Sequence, residues 1–556
     1  MDKVWLKQYQ QGVPAEINPN EHASLVELFE DSCRKHANAV AYVNLGSELT
    51  YAELEVKSRQ FALYLQSLGL EKGARVAIMM PNVLQYPVAL FGILRGGYVV
   101  VNTNPLYTAD EVVHQMNDSE AQVIVVLANF AKTVEKALPQ MHIKQVIVTE
   151  VGDLFSPIKR FIVNSVVKYI KKMIPDYSIP GAVSFKETLK ASTSASLPTA
   201  HLTHQDIAFL QYTGGTTGVA KGAILTHGNM VANVLQAYAW IKPLGIGEQD
   251  IIVTALPLYH IFSLTANCLT FMKAGSKNIL ITNPRDIPHF LNEIKKSKFT
   301  AITGVNTLFN AMLNNPEIAE VDFSAVKLAL SGGMALQKGV AIKWQEKTKT
   351  RVLEAYGLTE TCPAVTINPM YLETYNGSIG LPLPSTDISI RDEQGKELGF
   401  KETGELCVKG PQVMAGYWKR PDETALVMTA DGFLRTGDIA EMDDKGFLYL
   451  VDRKKDMILV SGFNVYPNEV EQVISLMPGV LEVGVIGVTC EETGERVKAC
   501  IVKRDPNLTE EQIIAHCREH LAAYKIPKII QFYQELPKTN VGKILRRALK
   551  TDNPNC

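Results

Sequence analysis

The sequence predicts an α/β protein with a large N-terminal domain of α/β subdomains and a small α+β domain at its C-terminal end. Two observations lead to this prediction. Short β-branched runs alternate with helical segments near the start of the chain, which is typical of parallel sheets covered by helices. A dense run of charges at 451–456 then separates the last hundred or so residues from the rest. Because 556 residues exceed what one core supports, we expect domains at 1–452 and 453–556.

The N-terminal elements follow from hydrophobic spacing and capping residues. A helix is expected over 49–70, because Thr50 can cap it and Glu53 lies three residues later, as in a capping box. The next elements are expected to be strands over 75–80, 98–101, 122–127 and 145–149, with a helix over 86–94.

The C-terminal elements carry equally local signals. Pro467 can occupy the first position of a helix, where its missing N–H costs nothing. Thr509 and Gln512 have the spacing of a second capping box. Strands over 480–488 and 498–502 complete the small α+β module.

Composition excludes several classes of protein. A formal net charge of −2 and 46% hydrophobic residues argue against a nucleic-acid binder and against a disordered chain. The eight cysteines form no C-x-x-C pair and match no zinc-site spacing, which favours free thiols in a reducing cytosol. The N-terminus lacks a signal-peptide pattern, and no run reaches the roughly 18–20 apolar residues of a membrane span. We therefore expect a cytoplasmic protein, soluble or bound to a membrane surface.

The most informative stretch is rich in glycine, threonine and lysine and follows an apolar run at 207–210 that can form a strand. It consists of Tyr212, Thr213, Gly214, Gly215, Thr216, Thr217, Gly218, Val219, Ala220, Lys221 and Gly222. Glycines allow backbone N–H groups to approach a ligand, hydroxyls add donors and the lysine adds charge, so the stretch suits a polyphosphate. It is not a Walker A loop, because that motif needs Gly-Lys followed by Ser or Thr. A flexible surface loop is the alternative.

This loop resembles the signature of the adenylate-forming superfamily, which includes acyl-CoA synthetases, peptide-synthetase adenylation domains and firefly luciferase. The resemblance runs from about Leu49 to Arg547, with further motifs in the family's order. It implies ATP and Mg²⁺ in the reaction, coenzyme A as co-substrate, a small β-barrel-like part in the large domain, and a mobile C-terminal domain.

The motif Tyr356-Gly357-Leu358-Thr359-Glu360 resembles the family's second core motif. The resemblance implies that Tyr356 stacks on adenine, that Thr359 contacts the α-phosphate, and that Glu360 helps to hold Mg²⁺ together with Thr216. Gly332 and Gly333 similarly match the segment that lines adenine and the acyl channel. Each motif taken alone would be a plausible turn.

The remaining family motifs lie towards the C-terminus. Asp438 and Arg453 match the two ribose contacts, and Lys543 matches the catalytic lysine of the C-terminal domain. Lys455, two positions after the ribose arginine, matches the hinge about which that domain rotates. After rotation, Gly462 would leave width for the pantetheine arm of coenzyme A. Without the family context, a lysine so close to the end of the chain is most often a solvated charge.

The chemistry explains why cations recur among these residues. A carboxylate must attack the α-phosphate of ATP, and both groups are anions. At ~4 Å and an effective dielectric near 20, each pair of unit charges repels by about 4 kcal/mol. Magnesium, Lys221 and Lys543 are the expected counter-charges.

The acid substrate is indicated by the stretch around His260, which resembles the acid-site motif of acyl-CoA synthetases. No acidic residue occurs over 256–272 to pair with the ammonium of an amino acid. An apolar channel gains about 0.8 kcal/mol per buried CH₂, which favours a long-chain fatty acid. Aromatic acids remain open, and a satisfied core histidine is the alternative for His260. The match to bacterial long-chain fatty-acyl-CoA synthetases implies a role in fatty-acid degradation or uptake.

The segment 156–174 predicts a basic amphipathic helix that begins at Pro157. Its expected apolar face contains Ile158, Ile162, Val166, Tyr169, Ile170 and Met173, with Arg160, Lys168, Lys171 and Lys172 mostly opposite and Lys159 interrupting the apolar side. This pattern suits peripheral contact with the anionic inner face of a membrane. Packing against the protein's own domain is the alternative.

Two other functions stay open on sequence alone. An adenylating enzyme could transfer its acyl group to a carrier protein instead of free coenzyme A, and a non-catalytic acyl-binding protein could keep the fold. The oligomeric state also stays open, including a homodimer.

Overall fold

The computed structural model describes residues 3–192, 195–198, 200–213, 220–490, 493–539 and 542–551. In chain order its strands are β1 Val40–Asn44, β2 Ser47–Thr50, β3 Arg75–Met79, β4 Val99–Asn102, β5 Ala121–Leu127, β6 Gln145–Thr149, β7 Val183–Ser184, β8 Ile207–Thr213, β9 Lys221–Thr226, β10 Ile251–Thr254, β11 Lys277–Leu280, β12 Ala301–Gly304, β13 Leu328–Gly332, β14 Val352–Gly357, β15 Ala364–Ile367, β16 Leu381–Pro382, β17 Asp387–Arg391, β18 Gly404–Lys409, β19 Gly416–Tyr417, β20 Leu434–Met442, β21 Leu448–Arg453, β22 Ile458–Val460, β23 Phe463–Val465, β24 Val480–Cys490, β25 Gly494–Lys503 and β26 Ile529–Tyr533. Its α-helices are α1 Leu25–Lys35, α2 Tyr51–Ser67, α3 Gln85–Arg95, α4 Ala109–Ser119, α5 Ala131–Ala137, α6 Pro157–Ser165, α7 His227–Ile241, α8 Ile261–Ser263, α9 Phe271–Lys273, α10 Ile287–Ile294, α11 Asn306–Leu313, α12 Lys338–Thr348, α13 Pro421–Val427, α14 Pro467–Ser475, α15 Glu510–His520 and α16 Arg546–Thr551. Two π-helical stretches extend α6 and join α8 to α9, at Val166–Ile170 and Leu264–Thr270.

Two large mixed sheets form the N-terminal part, as the predicted α/β class requires. One has the order β16-β15-β14-β13-β12-β10-β11-β1-β2, and the other has the order β19-β9-β8-β4-β3-β5-β6-β7. Their central strands are parallel. The edge pairs are antiparallel, except that β7 runs parallel to β6. Helices cover the faces of the parallel strands, and for this reason β12 is buried along its whole length. The carboxyl ends of such strands are where α/β folds bind ligands.

Two smaller sheets follow along the chain. The antiparallel sheet β17-β18-β20-β21 ends at Arg453, and the sheet β23-β22-β25-β24, with β26 beside β25, forms the α+β module after it. This module has its own hydrophobic core, which includes Ile458, Val470, Val483 and Ile501. The fold class predicted from sequence is therefore confirmed.

The helix starts predicted from capping residues and proline agree with the structure, although the ends of the elements differ by a few residues. Both capping boxes form: the Thr50 side chain accepts from the Glu53 backbone N–H, and Thr509 does the same for Gln512. Pro467 opens α14 as expected. The expected helix over 49–70 is shorter than predicted, because β2 runs to Thr50 and the helix ends at Ser67.

Direct hydrogen bonds dock the C-terminal module onto the N-terminal part. The Thr307 hydroxyl donates to the backbone oxygen of Gly542 at 2.8 Å, and the Asn310 amide donates to the backbone oxygen of Leu481 at 3.0 Å. Both donors lie on α11. The segment that follows Gly542 is therefore held against the ends of the parallel strands.

The described residues contain neither a helix able to span a membrane nor a disulfide. Among the described residues, no helix combines the length and apolar character that crossing a bilayer requires. Seven cysteines in this part of the chain form no disulfide, and most of them are buried.

Candidate active site

A cavity of about 1040 Å³ lies where the ends of β8, β12, β13 and β14 meet β20, β21 and the C-terminal segment. It brings together most of the site residues predicted from sequence. These are Tyr212, Thr213, Lys221, His260, Gly332, Gly333, Tyr356, Gly357, Thr359, Glu360, Asp438, Arg453, Lys455 and Lys543.

The other predicted residues are absent from this set for different reasons. Gly214, Gly215, Thr216, Thr217, Gly218 and Val219 lie outside the described residues. Ala220 and Gly222 flank that segment without lining the cavity. Gly462 is exposed, with a φ of +84°, and does not line the cavity.

The predicted ribose contact is a buried carboxylate with two partners. Asp438, only 2% exposed, accepts a 2.6 Å hydrogen bond from the Tyr356 hydroxyl through Oδ2. Its Oδ1 lies 3.2 Å from Nε of Arg453, its cross-strand neighbour on β21. A buried carboxylate needs such partners to remain charged. The three side chains therefore form a fixed polar wall at one end of the cavity.

Lys543 lines the cavity and follows Thr539, whose backbone and side chain both bond the lysine backbone. The Thr539 N–H donates to the Lys543 carbonyl at 2.7 Å, and the Thr539 hydroxyl accepts from the Lys543 N–H at 3.1 Å. The Lys543 side chain packs on Gly333, where an added Cβ would lie 3.1 Å from Cε. Gly333 also has a φ of +79°, so the site favours glycine for both space and backbone geometry. Burial, together with nearby Arg453, lowers the pKa of Lys543 to about 8.

His260 lies beside this lysine and is neutral. Burial, reinforced by the Lys543 charge, lowers the pKa of His260 to about 3. Its Nδ1 accepts the backbone N–H of Phe262 at 3.3 Å, at the start of α8. The proton of the neutral ring is therefore on Nε2, which makes that nitrogen a hydrogen-bond donor.

The predicted phosphate lysine has partners that sequence reasoning missed. The Lys221 ammonium pairs with the carboxylate of Glu423 and lies 5.5 Å from the centre of the Tyr417 ring. The Tyr417 hydroxyl in turn donates to Oε1 of Glu360 at 2.7 Å. Burial and the Glu360 charge raise the pKa of Tyr417. Tyr417 belongs to the Gly-Tyr-Trp stretch at 416–418, and an aromatic residue among the other motifs is the sequence signal that could have identified it.

A second missed residue supports Tyr212. Oδ2 of Asp118 accepts the Tyr212 hydroxyl at 2.6 Å, and its Oδ1 accepts from Arg420 at 2.6 Å. Asp118 lies near the end of α4, 94 positions from Tyr212, and no motif marks it. This bridge fixes the strand end where the phosphate loop begins.

The opposite end of the cavity is apolar. It is walled by residues of α7, of the helix over 261–273 and of the central strands. Members of this wall are Ala237, Ile241, Ile261, Phe262, Ala266, Phe271, Leu328 and Leu330. The lining residues from 237 to 330 carry no acidic side chain. This end can take a hydrocarbon chain, and it offers no partner for a substrate ammonium.

The charged end fits a magnesium ion. Glu360 lines the cavity, and its Tyr417 bond uses only one of roughly four acceptor positions of the carboxylate. The Thr359 hydroxyl lies next to it in the chain. Oxygen donors of this type are the ligands that Mg²⁺ prefers, usually alongside substrate phosphates. The other predicted ligand, Thr216, lies outside the described residues.

Arg546, three residues after Lys543, is partly buried and pairs with acidic groups from the region around the hinge. Arg546 Nη1 lies 3.2 Å from Asp452 and 3.5 Å from Asp456, and Nη2 lies 2.9 Å from Glu471. Asp452 is fully buried, and its Oδ2 also accepts the Asn468 N–H at the start of α14. Arg546 therefore ties the lysine segment to both the end of β21 and α14.

Comparison with known proteins agrees with this geometry. Residues 29–418 match the AMP-binding enzyme family, and residues 469–543 match the AMP-binding enzyme C-terminal domain. A long-chain-fatty-acid–CoA ligase of Yersinia pestis is 56% identical, covering 99% of this chain and 98% of its own length. The ligase of the same name from Haemophilus influenzae is 51% identical over 99% of both chains. Among solved structures, the anthranilate CoA ligase AuaEII in complex with anthranoyl-AMP has a TM-score of 0.86 at 25% identity, covering 96% of this chain and 99% of its own.

Proposed function

This chain belongs to the AMP-binding enzyme family, and from that premise we propose that it joins long-chain fatty acids to coenzyme A through an acyl-adenylate, with release of AMP and pyrophosphate. The observation that carries the proposal is the position of Lys543. It lies at the junction of the apolar and polar ends of one cavity, beside His260 and Gly333. A carboxylate at the mouth of the apolar end would meet the α-phosphate at that point.

In the first half-reaction, the fatty-acid carboxylate attacks the α-phosphorus of ATP and pyrophosphate leaves. Lys543 holds the two anions together, because its ammonium can donate to both. His260 donates its Nε2–H to the carboxylate and turns an oxygen towards phosphorus. Asp438 and Arg453 hold the ribose, Tyr356 lies against the adenine, and Thr359 donates to the α-phosphate. Glu360 and Thr216 are the residues that would hold magnesium, which would neutralise part of the phosphate charge.

The polyphosphate tail would lie along the loop that begins at Tyr212 and ends at Lys221. Lys221, which lines the cavity, is paired with Glu423. A polyphosphate carries more negative charge than one carboxylate and would compete with Glu423 for the Lys221 ammonium. The backbone N–H groups of a glycine-rich loop add further donors.

In the second half-reaction, the thiol of coenzyme A attacks the acyl carbonyl and AMP leaves. The thiol needs the space that Lys543 fills, so we propose that residues 453–556 rotate as a domain about Lys455. Lys455 is exposed and lies between Arg453 and Asp456. The rotation exchanges the segment carrying Lys543 for the exposed strand region around Gly462, where the absence of a side chain leaves width for pantetheine.

The substrate proposal predicts a strong dependence on acyl chain length. Each CH₂ that enters the apolar end adds about 0.8 kcal/mol, so kcat/KM should rise about fourfold per CH₂ until that end is filled. The measurement is AMP release with free coenzyme A and acids from acetate to oleate, with benzoate as the aromatic comparison. Equal kcat/KM for acetate and oleate, or faster transfer to an acyl-carrier protein than to coenzyme A, would overturn the proposal.

The same function gives a role to the basic segment at 156–174, which we propose contacts anionic lipid. The helix begins at Pro157, and its residues Val163 and Val167 pack on the core. Lys159, which interrupted the expected apolar side, turns inward and donates to the Leu45 carbonyl at 2.5 Å. Large apolar side chains face outward instead, namely Ile158, Phe161, Ile162, Tyr169, Ile170 and Met173, each more than half exposed. An apolar surface beside exposed lysines suits the headgroup region of a bilayer.

Charge reversal tests this contact. Replacing Lys168, Lys171 and Lys172 with glutamate should weaken binding to vesicles containing anionic lipid by about 100-fold or more, because each lysine contributes about 1 kcal/mol. Flotation with such vesicles and with neutral vesicles is the measurement. The matched control replaces the exposed lysines Lys296, Lys298 and Lys338 with glutamate, which changes the net charge equally. Unchanged flotation of the 168/171/172 variant would disprove the contact.

A further inference from the structure

The last two turns of α15 bring together three side chains that can bind a metal ion. His516, Glu519 and His520 have the spacing i, i+3 and i+4, which places them on one face of the helix. One ligand atom from each lies within 4.8 Å of the others. The two imidazole rings have their centres 4.7 Å apart. None of the three lines the cavity described above.

An independent contact prepares His516 for a metal. Its Nε2 lies 3.0 Å from the backbone oxygen of Val473, on the neighbouring helix α14. Because a carbonyl only accepts, this bond puts the ring proton on Nε2 and leaves the lone pair of Nδ1 available. Metal-binding histidines generally donate their second ring N–H to a carbonyl or carboxylate in this way, which fixes the tautomer and the ring orientation.

We propose that His516, Glu519 and His520 form a Zn²⁺ site on the surface of the C-terminal module, with water in the remaining position. Imidazole and carboxylate ligands suit Zn²⁺, whereas Mg²⁺ requires a set of hard oxygens. Ligands of a tetrahedral zinc ion at ~2.1 Å lie about 3.4 Å apart. Glu519 and His520 are exposed, so their side chains are free to rotate towards that separation while the helix backbone stays in place. Through the Val473 contact, bound zinc would join α15 to α14.

The test is an isothermal calorimetric titration of the untagged, full-length protein with ZnCl₂ in magnesium-free buffer. One equivalent of zinc should bind, and His516→Ala or His520→Ala should weaken binding by about 100-fold. Loss of a residue that only supports a metal ligand already weakens binding by about 10- to 100-fold, and these variants lose a ligand itself. His142→Ala, which removes an exposed histidine elsewhere, is the matched control and should bind as the unchanged protein does. Zinc should also raise the melting temperature of the unchanged protein and not that of His520→Ala.

Cysteine binding is the competing explanation, and cobalt separates the two. Co²⁺ at a two-histidine, one-carboxylate site gives no sulfur-to-metal charge-transfer absorption, whereas a thiolate site does. Zinc affinity that is unchanged in the His516→Ala, His520→Ala double variant, or a thiolate absorption at one equivalent of cobalt, would overturn the proposal. Fatty-acid activation without added zinc should be the same in both single variants, since the site is outside the cavity.

Discussion

Lys543→Ala is expected to slow acyl-adenylate formation by about 100- to 1000-fold, the usual cost of removing one preorganised donor from developing charge. The same change should alter thioester formation from supplied acyl-adenylate by no more than about twofold, because the thiol attacks after the segment carrying Lys543 has moved away. Fatty-acid-dependent exchange of pyrophosphate into ATP measures the first step. Single-turnover transfer from purified oleoyl-adenylate to coenzyme A measures the second.

The control variant for this prediction is Lys550→Ala, which removes an exposed lysine from α16 in the same segment. It should leave both half-reactions unchanged. If Lys543→Ala slowed both half-reactions equally, the proposed division between them would be wrong, and Lys543 would instead be required to hold the fold of the segment.

The pH dependence of adenylation distinguishes a chemical role of Lys543 from a purely structural one. Since the pKa of Lys543 is about 8 in the free protein, kcat/KM for adenylation should fall as the pH rises through 8 and the ammonium is lost. Bound ATP is anionic and raises that pKa, so kcat should hold to higher pH. Lys543→Arg stays protonated and should show no such fall, at a lower overall rate.

Arg546→Met is expected to lower the stability of the C-terminal module by about 3–5 kcal/mol, because three carboxylates lose their common counter-charge. Burial raises the pKa values of Asp452 and Glu471, and Arg546 opposes that rise. In the variant these groups favour the protonated form in the folded state, so stability should increase as the pH falls towards 5. Adenylation should slow as well, because the segment carrying Lys543 loses its anchor.

Denaturant unfolding and limited proteolysis after residue 452 measure this effect at pH 8 and pH 5. Arg518→Met, which removes an exposed arginine from α15, should change neither. Arg546→Lys keeps one positive charge without the forked geometry and should recover part of the lost stability. A variant as stable as the unchanged protein at pH 8 would show that Arg546 does not hold the module.

The sequence by itself determined the features that depend on neighbours in the chain. Thr50 with Glu53 and Thr509 with Gln512 predicted helix starts correctly, because a capping box is a contact across three residues. Pro467 marked the start of α14 for the same reason. The glycines and hydroxyls of the family motifs indicate backbone shape and hydrogen-bond donors, and the order of the motifs along the chain indicated what they bind.

Tertiary structure alone decided which charges meet. Lys221 and Glu423 are 202 positions apart, and Tyr212 reaches Asp118 across 94. Lys159 was expected on the outward apolar side and instead bonds the backbone of Leu45. The docked position of Lys543 beside Gly333 depends on Thr307 and the other α11 contact. Such pairings follow from which surfaces bury one another, and a one-dimensional pattern of residue types does not contain the distances that select them.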